Sequence, residues 1–250
     1  MNWFLKRYLH IKHAMNKASK YSVIGTEYRI IKQNGEDLVE KSVISNIDLG
    51  LSQEQLLVFF EQYIKEIQGA GINLPEIKGY KVLDDRIMFL CENAGQNILE
   101  IFNLNELVRG KGRPFLELTI KEILKAIDGK INLDPHIKNF VIGPDGISYV
   151  DFSPPYTKEY IQKRIDKALM SEVTIVRENL DNFLPQNLLH HFLGDFFNVD
   201  RNISIELIRE IYNLIDKLSP QVEDLDTFVT LSKRIRASED ERIRRNIFLY

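Results

Sequence analysis

The sequence predicts an α+β fold in which a small antiparallel sheet with one helix precedes a larger, mainly helical part. Residues 21–47 are predicted as strands around Asn34-Gly35, the dipeptide that most strongly favours a two-residue hairpin turn. From about residue 157 onward nearly every segment has helical periodicity. The polar segment ENAGQN begins at Glu92 and has no periodicity. We therefore expect an N-terminal lobe over residues 1–92 and a C-terminal lobe over residues 93–250.

The elements of the N-terminal lobe follow from local patterns. Apolar residues recur at helical spacing within residues 1–20 and predict a helix that packs on its own domain; the alternative is a basic amphipathic helix lying on a membrane. Residues 52–68 carry an apolar face behind Ser52, a good N-cap, and end at Gly69. The segments INLPEIKGYKVL and RIMFLCE are predicted as two strands, the second one buried.

Two further patterns define the start of the C-terminal lobe. FLELTIKEILKAID, residues 115–128, predicts a helix that ends at Gly129. FVIG and ISYVDF predict short strands joined by a turn at Pro144-Asp145-Gly146.

Composition excludes several classes of protein. The 250 residues are 44% hydrophobic and 28% charged, as in ordinary globular proteins, and the net charge of -3 gives no overall attraction to nucleic acid. One cysteine allows no intramolecular disulfide and no cysteine-based zinc site. No apolar run is long enough to span a bilayer, and Lys6-Arg7 interrupts the N-terminal one. We expect a cytoplasmic protein with no nucleic-acid partner and no membrane insertion; the oligomeric state stays open.

The segment KINLDPHIKNFVIGPDGISYVDFSPPY, residues 130–156, carries the chemistry. It contains Asp134 and Asn139 in the spacing D-x-x-x-x-N, then the predicted hairpin, then Asp151-Phe152. Phosphoryl transfer from ATP requires a carboxylate that orients the attacking hydroxyl and accepts its proton. It also requires oxygen ligands that hold Mg²⁺ against the phosphates. A D-x-x-x-x-N loop after a helix and a D-F after a hairpin supply these groups on two facing loops.

This arrangement resembles the protein-kinase-like superfamily, and within it most closely the aminoglycoside phosphotransferase and choline kinase branch. The typical loop of that branch is H-G-D-x-H-x-x-N, and N-L-D-P-H-I-K-N keeps its Asp, its middle His and its Asn. The resemblance implies a two-lobed kinase-like fold and an ATP- or GTP-dependent transfer to a hydroxyl of a small substrate. It implies that Asp134 is the catalytic base, that Asn139 and Asp151 bind Mg²⁺, and that His136 braces the loop.

The resemblance also implies nucleotide contacts in the N-terminal lobe. Lys41, in Leu38-Val39-Glu40-Lys41, would hold the α- and β-phosphates. Its partner on the following helix would be Glu61, with Glu54 and Glu66 as rivals.

The strand RIMFLCE followed by NAGQN resembles a hinge strand. Its backbone, at Leu90, Cys91 and Glu92, would contact adenine. Cys91 itself is expected to be a packed residue and not a reactive thiol.

The sequence departs from the family pattern in three places. Asn132 replaces the first loop histidine, only Gly25 stands where protein kinases have a glycine-rich loop, and Ser153-Pro154-Pro155 follows the D-F. Two prolines stiffen the chain, so we expect a fixed loop and not a switchable activation segment. The departures motivate a second hypothesis, a catalytically weak or inactive kinase-like protein that binds nucleotide or a partner; a protein kinase is the third.

Other polar residues have simpler interpretations. His190 and His191 are adjacent on a helix, point in different directions and are expected to be packed or surface residues. Asp195 is a candidate for the substrate pocket. The mixed charges after Lys233 predict a solvated helix with i,i+4 pairs.

Overall fold

A four-stranded antiparallel sheet and one long helix form the N-terminal part of the described chain. The computed structural model describes residues 26–33, 35–44 and 49–245; the predicted N-terminal helix, Gly25 and Asn34 lie outside them. The strand order is β1-β2-β4-β3, and helix α1 lies between β2 and β3 in the chain. The bounds are β1 Thr26–Gln33, β2 Glu36–Ile44, α1 Gln53–Gly69, β3 Ile77–Val82 and β4 Arg86–Glu92.

A larger, mostly helical part follows this sheet, so the predicted α+β class is confirmed. Its strands form a second small sheet in the order β5-β6-β7. The bounds are β5 Gln96–Asn97, α2 Ile98–Ile101, α3 Leu104–Arg109, α4 Arg113–Asp128, β6 Phe140–Gly143, β7 Gly146–Tyr149, α5 Lys158–Asp166, α6 Val173–Asp181, α7 Leu188–Val199, α8 Ile205–Leu218 and α9 Leu225–Arg244. Single 3-10 turns cover Ile137–Asn139 and Pro185–Asn187.

The two long helices predicted before residue 130 are both present. Ser52 caps α1 in a reciprocal capping box, in which its hydroxyl accepts from the Gln55 N–H at 3.2 Å and the Gln55 side chain accepts from the Ser52 N–H at 2.9 Å. Helix α4 begins two residues before the predicted start, because Pro114 fits the first turn of a helix, and it ends at Gly129 as predicted.

Two predicted strands are shorter than expected. The first begins only at Ile77, after Pro75, which has no N–H to donate to a ladder. The second ends at Tyr149, and the next N–H, that of Val150, donates to the Asn139 carbonyl at 2.9 Å. The chain from Val150 onward therefore leaves the hairpin as a loop, which carries Asp151.

The link between the two sheets lies against β6. Gly95 has a φ of +128°, and a Cβ on it would lie 1.9 Å from the Ile142 carbonyl oxygen. A Cβ on Gly143 would lie 2.2 Å from the Ala94 carbonyl oxygen. Only glycine fits such close approaches of two backbones. The segment after Glu92 is therefore held in place at the point where the boundary between lobes was predicted.

An aromatic cluster joins the sheet, α1 and the loop after β7. The rings of Phe60, Phe89 and Phe152 make edge contacts at centroid distances of 5.2–6.4 Å. All three side chains are buried, and burial of each contributes about 1.5–3 kcal/mol of hydrophobic stabilisation. Within the described residues, no helix has both the length and the apolar character that a membrane crossing requires.

Candidate active site

Two predicted site residues that lie 110 positions apart in the chain are in direct contact. The Nζ of Lys41 lies 2.9 Å from Oδ1 of Asp151 and 3.2 Å from the Val150 carbonyl oxygen. The Lys41 side chain is only 10% exposed and that of Asp151 26%. Lys41 stands opposite Phe89 of β4, and therefore in the interior of the four-stranded sheet. The sheet thus directs the lysine at the loop that follows β7.

The Lys41 ammonium group contacts the ring of Phe152 and not a glutamate on α1. Its Nζ lies 4.2 Å from the centroid of the Phe152 ring, within the range of a cation–π interaction. Phe60 of α1 packs against the other side of this cluster. Glu61, the predicted partner, instead hydrogen-bonds the Tyr80 hydroxyl and raises the pKa of that tyrosine. The structure therefore does not bring Lys41 and Glu61 together in an ion pair.

The rival glutamates on α1 are also engaged elsewhere. Glu66 accepts a hydrogen bond from Gln62 at 2.9 Å. Glu54 lies in the first turn of α1, where hydrogen bonds from the local backbone and then from Ser52 lower its pKa. A shallow depression of about 410 Å³ on the outer face of α1 includes Glu61 and Glu66 among its lining residues. Its lining does not include Lys41, Asp134, Asn139 or Asp151, so the depression lies apart from the predicted site.

Asp134 and Asn139 lie in one tight loop. The Asn139 side chain donates to the Asp134 carbonyl at 3.1 Å, and the Asn139 N–H donates to the His136 carbonyl at 2.8 Å. The Asn139 carbonyl in turn accepts from the N–H of Val150, the residue before Asp151. Asn139 therefore links the loop of Asp134 to the loop of Asp151.

Asn132, where the sequence departs from the kinase-like pattern that it resembles, braces this loop. Its side chain donates to the Tyr156 carbonyl at 2.8 Å, and its own carbonyl accepts from the Tyr63 hydroxyl of α1 at 2.8 Å. Buried polar groups require such partners, and these tie α1 and the segment after Phe152 to the loop. The asparagine thus performs a bracing role here.

The segment after Asp151 is buried, which agrees with the fixed loop that its two prolines predict. Residues 152–157 are all buried, and the Ser153-Pro154 peptide bond is cis. The stacked rings of Tyr156 and Phe183, 4.5 Å apart, hold its far end. The segment is therefore packed along its whole length.

His136 holds the Asp134 carboxylate. Its Nδ1 hydrogen-bonds Oδ1 of Asp134, and its backbone N–H donates to the same oxygen at 3.2 Å. Burial alone would raise the pKa of Asp134, but the charge and hydrogen bond of His136 outweigh it and lower that pKa below its ordinary value. Burial opposes protonation of His136, but Asp134, Asp195 and Glu239 raise its pKa to about 9. At neutral pH the pair is therefore an imidazolium and a carboxylate.

His191, Glu239 and Arg236 lie behind His136 and were not identified as site residues from the sequence. Nε2 of His191 lies 2.9 Å from Oε1 of Glu239, and Nε2 of His136 lies 3.7 Å from the same oxygen. Burial opposes the charge of Glu239, but His191, His136 and Arg236 lower its pKa to about 2. Glu239 continues the buried stripe Phe228, Ser232 and Ile235 of α9, which was the available sequence signal.

Asp195 anchors the loop and does not stand free in a pocket. Its Oδ2 accepts from the Ile137 N–H at 2.9 Å, and its Oδ1 lies 3.6 Å from Nε2 of His136. The neighbouring His190 is packed on Phe228 and lies 3.2 Å from Glu223, as expected for a packed histidine.

The predicted hinge residues lie in a strand that is paired on both sides. Leu90 and Cys91 are in register with β2 and with β3, and the Glu92 N–H donates to the Glu76 carbonyl at 2.8 Å. Their backbone is thus engaged in the sheet. Burial raises the pKa of the Cys91 thiol to about 11, against the opposing charge of Lys41, which fits a packed residue.

One group of side chains has the composition of a metal site. Asp134, His136 and His191 offer ligand atoms within 4.8 Å of one another. However, His136 already bonds Asp134, and the two ring nitrogens of His191 face the Asn182 carbonyl and Glu239. A cation would displace these hydrogen bonds and the proton of His136. We therefore describe the group as a hydrogen-bonded cluster.

Comparison with known proteins adds no assignment: no protein-family model and no curated protein matches the chain.

Proposed function

We propose that the protein is an ATP- or GTP-dependent phosphotransferase with a two-lobed kinase-like fold, which transfers a γ-phosphate to the hydroxyl of a small molecule. The observation that carries the proposal is the 2.9 Å contact between Lys41 and Asp151, 110 residues apart in the chain. It joins a strand lysine to the D-F aspartate beside a D-x-x-x-x-N loop. Such a pairing of groups is what phosphoryl transfer uses.

The donor set fits magnesium. Asp151 offers a partly exposed carboxylate and Asn139 an amide oxygen, and Mg²⁺ is commonly bound by one or two protein oxygen ligands together with phosphates and water. When bound, Mg²⁺ would neutralise charge that develops on the phosphates. Lys41 would donate to phosphate oxygens, which replace the carboxylate as its main partner.

Asp134 would orient the acceptor. Because His136 keeps it ionised at neutral pH, Asp134 can accept a hydrogen bond from the acceptor hydroxyl and take its proton as the new P–O bond forms. The bond from the γ-phosphorus to the nucleoside diphosphate breaks in the same step.

The test compares Asp134→Asn with Asp145→Asn, an exposed aspartate in the turn of the adjacent hairpin. We expect Asp134→Asn to lower turnover of ATP against a panel of hydroxyl acceptors by at least about 100-fold and to retain MgATP binding. Asp145→Asn is expected to behave as the wild type. Substantial turnover in a folded Asp134→Asn protein would refute the role of this residue.

A second candidate is a kinase-like protein that binds nucleotide without efficient transfer. It is favoured by the burial of Asp134, which is only 6% exposed and already bonded to His136. Thermal shift with MgATP, measured beside turnover on the acceptor panel, separates the two candidates. Binding without turnover supports the second, and absence of binding contradicts both. The buried segment 152–157 gives no support to a protein kinase, which would phosphorylate a protein substrate or itself.

A further inference from the structure

The C-terminal helix α9 and helix α7 pack face to face directly behind the loop of Asp134. A Cβ on Gly194 of α7 would lie 2.9 Å from the Ser232 carbonyl oxygen of α9 and 3.9 Å from Cβ of Arg236. The absence of a side chain at Gly194 thus lets the two helices approach closely. On α7, His191 and Asp195 stand at i,i+4 spacing and therefore share one face of the helix. His191 reaches Glu239 of α9 at 2.9 Å, and Asp195 reaches the loop at the Ile137 N–H.

The same helical spacing places Glu239 at the loop. Ser232, Arg236 and Glu239 are four and three residues apart on α9 and so share one face. Glu239 as a residue is only 5% exposed. Its Oε2 accepts from Nη1 of Arg236 at 3.2 Å, which leaves Oε1 to His191 at 2.9 Å and to His136 at 3.7 Å.

His136 is therefore held from two sides. Its Nδ1 bonds Asp134, and its Nε2 faces the carboxylates of Asp195 and Glu239 at 3.6 and 3.7 Å. The ring of His191 stands against the ring of His136 in an edge contact at 4.8 Å. These contacts restrict the rotation of the His136 ring, and the orientation of that ring fixes the carboxylate of Asp134.

We infer that Glu239 is a positioning residue for Asp134. Glu239 acts through His191 and His136, so helix α9 contributes to the active site. The inference rests on the proposed function for its catalytic consequence. The relay itself can be observed in the protein alone: hydrogen bonds join Glu239 to His191 and His136 to Asp134, and a ring contact joins His191 to His136. Asp134 must stand within hydrogen-bond reach of the acceptor hydroxyl, and small displacements of such groups are costly to rate. Lys41 and Asp151 lie outside the relay, so nucleotide binding should not depend on Glu239.

The test uses the full chain with Glu239→Gln, which keeps the shape and removes the charge, and with Glu239→Asp, which keeps the charge and withdraws it by one methylene. Glu241→Gln is the matched control, because Glu241 is on the same helix and pairs at the surface with Arg245 at 2.5 Å. The first readout is nitrogen-15 NMR of the histidine rings without nucleotide. The second is the separation of kcat from the KM for MgATP.

We expect the wild type to show slowly exchanging, downfield ring N–H protons for His136 and His191. Glu239→Gln should shift the His136 ring signals and lower kcat by about 10- to 100-fold, with the KM for MgATP unchanged within about twofold. The kcat of Glu239→Asp should lie between that of the wild type and that of Glu239→Gln. Glu241→Gln should match the wild type in both its ring signals and its kcat.

The outcomes distinguish the relay from the proposed function. Absence of the protected ring protons in the wild type overturns the inference even when neither variant folds. His136 signals and kcat unchanged in folded Glu239→Gln overturn it as well. The wild type could also show the protected protons but neither bind nor turn over MgATP. That result would support the relay, refute the proposed function and remove the catalytic role of Glu239.

Discussion

Replacement of Lys41 by methionine tests the central contact of the site. Methionine keeps most of the length of the stem and removes the ammonium group, so Asp151 and the Val150 carbonyl lose a donor and Phe152 loses a cation. Removal of one partner from a fully buried ion pair costs about 3–5 kcal/mol. Asp151 is 26% exposed, and water can solvate part of it, which reduces the cost.

We therefore expect the free energy of unfolding to fall by about 1–3 kcal/mol, of which the cation–π contact contributes up to about 1 kcal/mol. For a chain of this size that change lowers Tm by about 2–12 °C. The effect on nucleotide affinity is separate. Loss of a charged hydrogen bond of about 1.5–3 kcal/mol weakens MgATP binding about 10- to 150-fold.

Thermal unfolding with and without MgATP, together with calorimetric titration, measures both effects. Lys81→Met is the matched control, because Lys81 is an exposed lysine on β3 of the same sheet. A Lys41→Met protein with wild-type Tm would refute the energetic reasoning. Wild-type MgATP affinity in that variant would refute the phosphate-binding role.

Three other perturbations test the bracing of the loop. Asn132→Ala leaves the buried Tyr156 carbonyl without its donor and should lower the free energy of unfolding by about 1–3 kcal/mol in urea titrations. Gly194→Ala brings a methyl group against the Ser232 carbonyl oxygen at 2.9 Å and should destabilise the protein by about 1–3 kcal/mol, measured in the same way. His136 has its pKa raised from 6.5 to about 9, so its contribution to stability is complete below pH 6.5 and is lost as the pH rises toward 9. Tm should therefore fall as the pH rises from 6.5 to about 9. The slope of Tm against pH should be smaller in His136→Gln than in the wild type.

Each of these expectations can fail on its own. Unchanged stability of Asn132→Ala would mean that water replaces the lost donor. Unchanged stability of Gly194→Ala would mean that α7 and α9 separate at little cost. A slope of Tm against pH that is the same in His136→Gln as in the wild type would mean that other groups dominate the titration.

The parts of the fold that depend on local pattern were predictable. The Ser52 cap and the apolar face behind it locate α1, and Gly129 locates the end of α4. The stiffness of the segment after Phe152 follows from its two prolines and agrees with its burial. In each case the determining interaction lies within a few residues along the chain.

The partners of the predicted site residues were less predictable. Asn132 was recognised from the sequence only as a departure from the pattern, and the carbonyl that it binds belongs to Tyr156, 24 residues further on. Lys41 was expected to pair with Glu61, but its ammonium group contacts the ring of Phe152. Which groups meet depends on how α1 rotates against the sheet, and helix periodicity alone does not set that rotation.

By itself, the sequence determined the α+β class, the positions of most elements and the spacing of Asp134, Asn139 and Asp151, because turns, caps and periodicity are local. Only the tertiary structure decided that Lys41 reaches Asp151 and that Glu239, on the last helix, stands behind His136. Buried charges require partners wherever the chain brings them, and packing of distant helices chooses those partners.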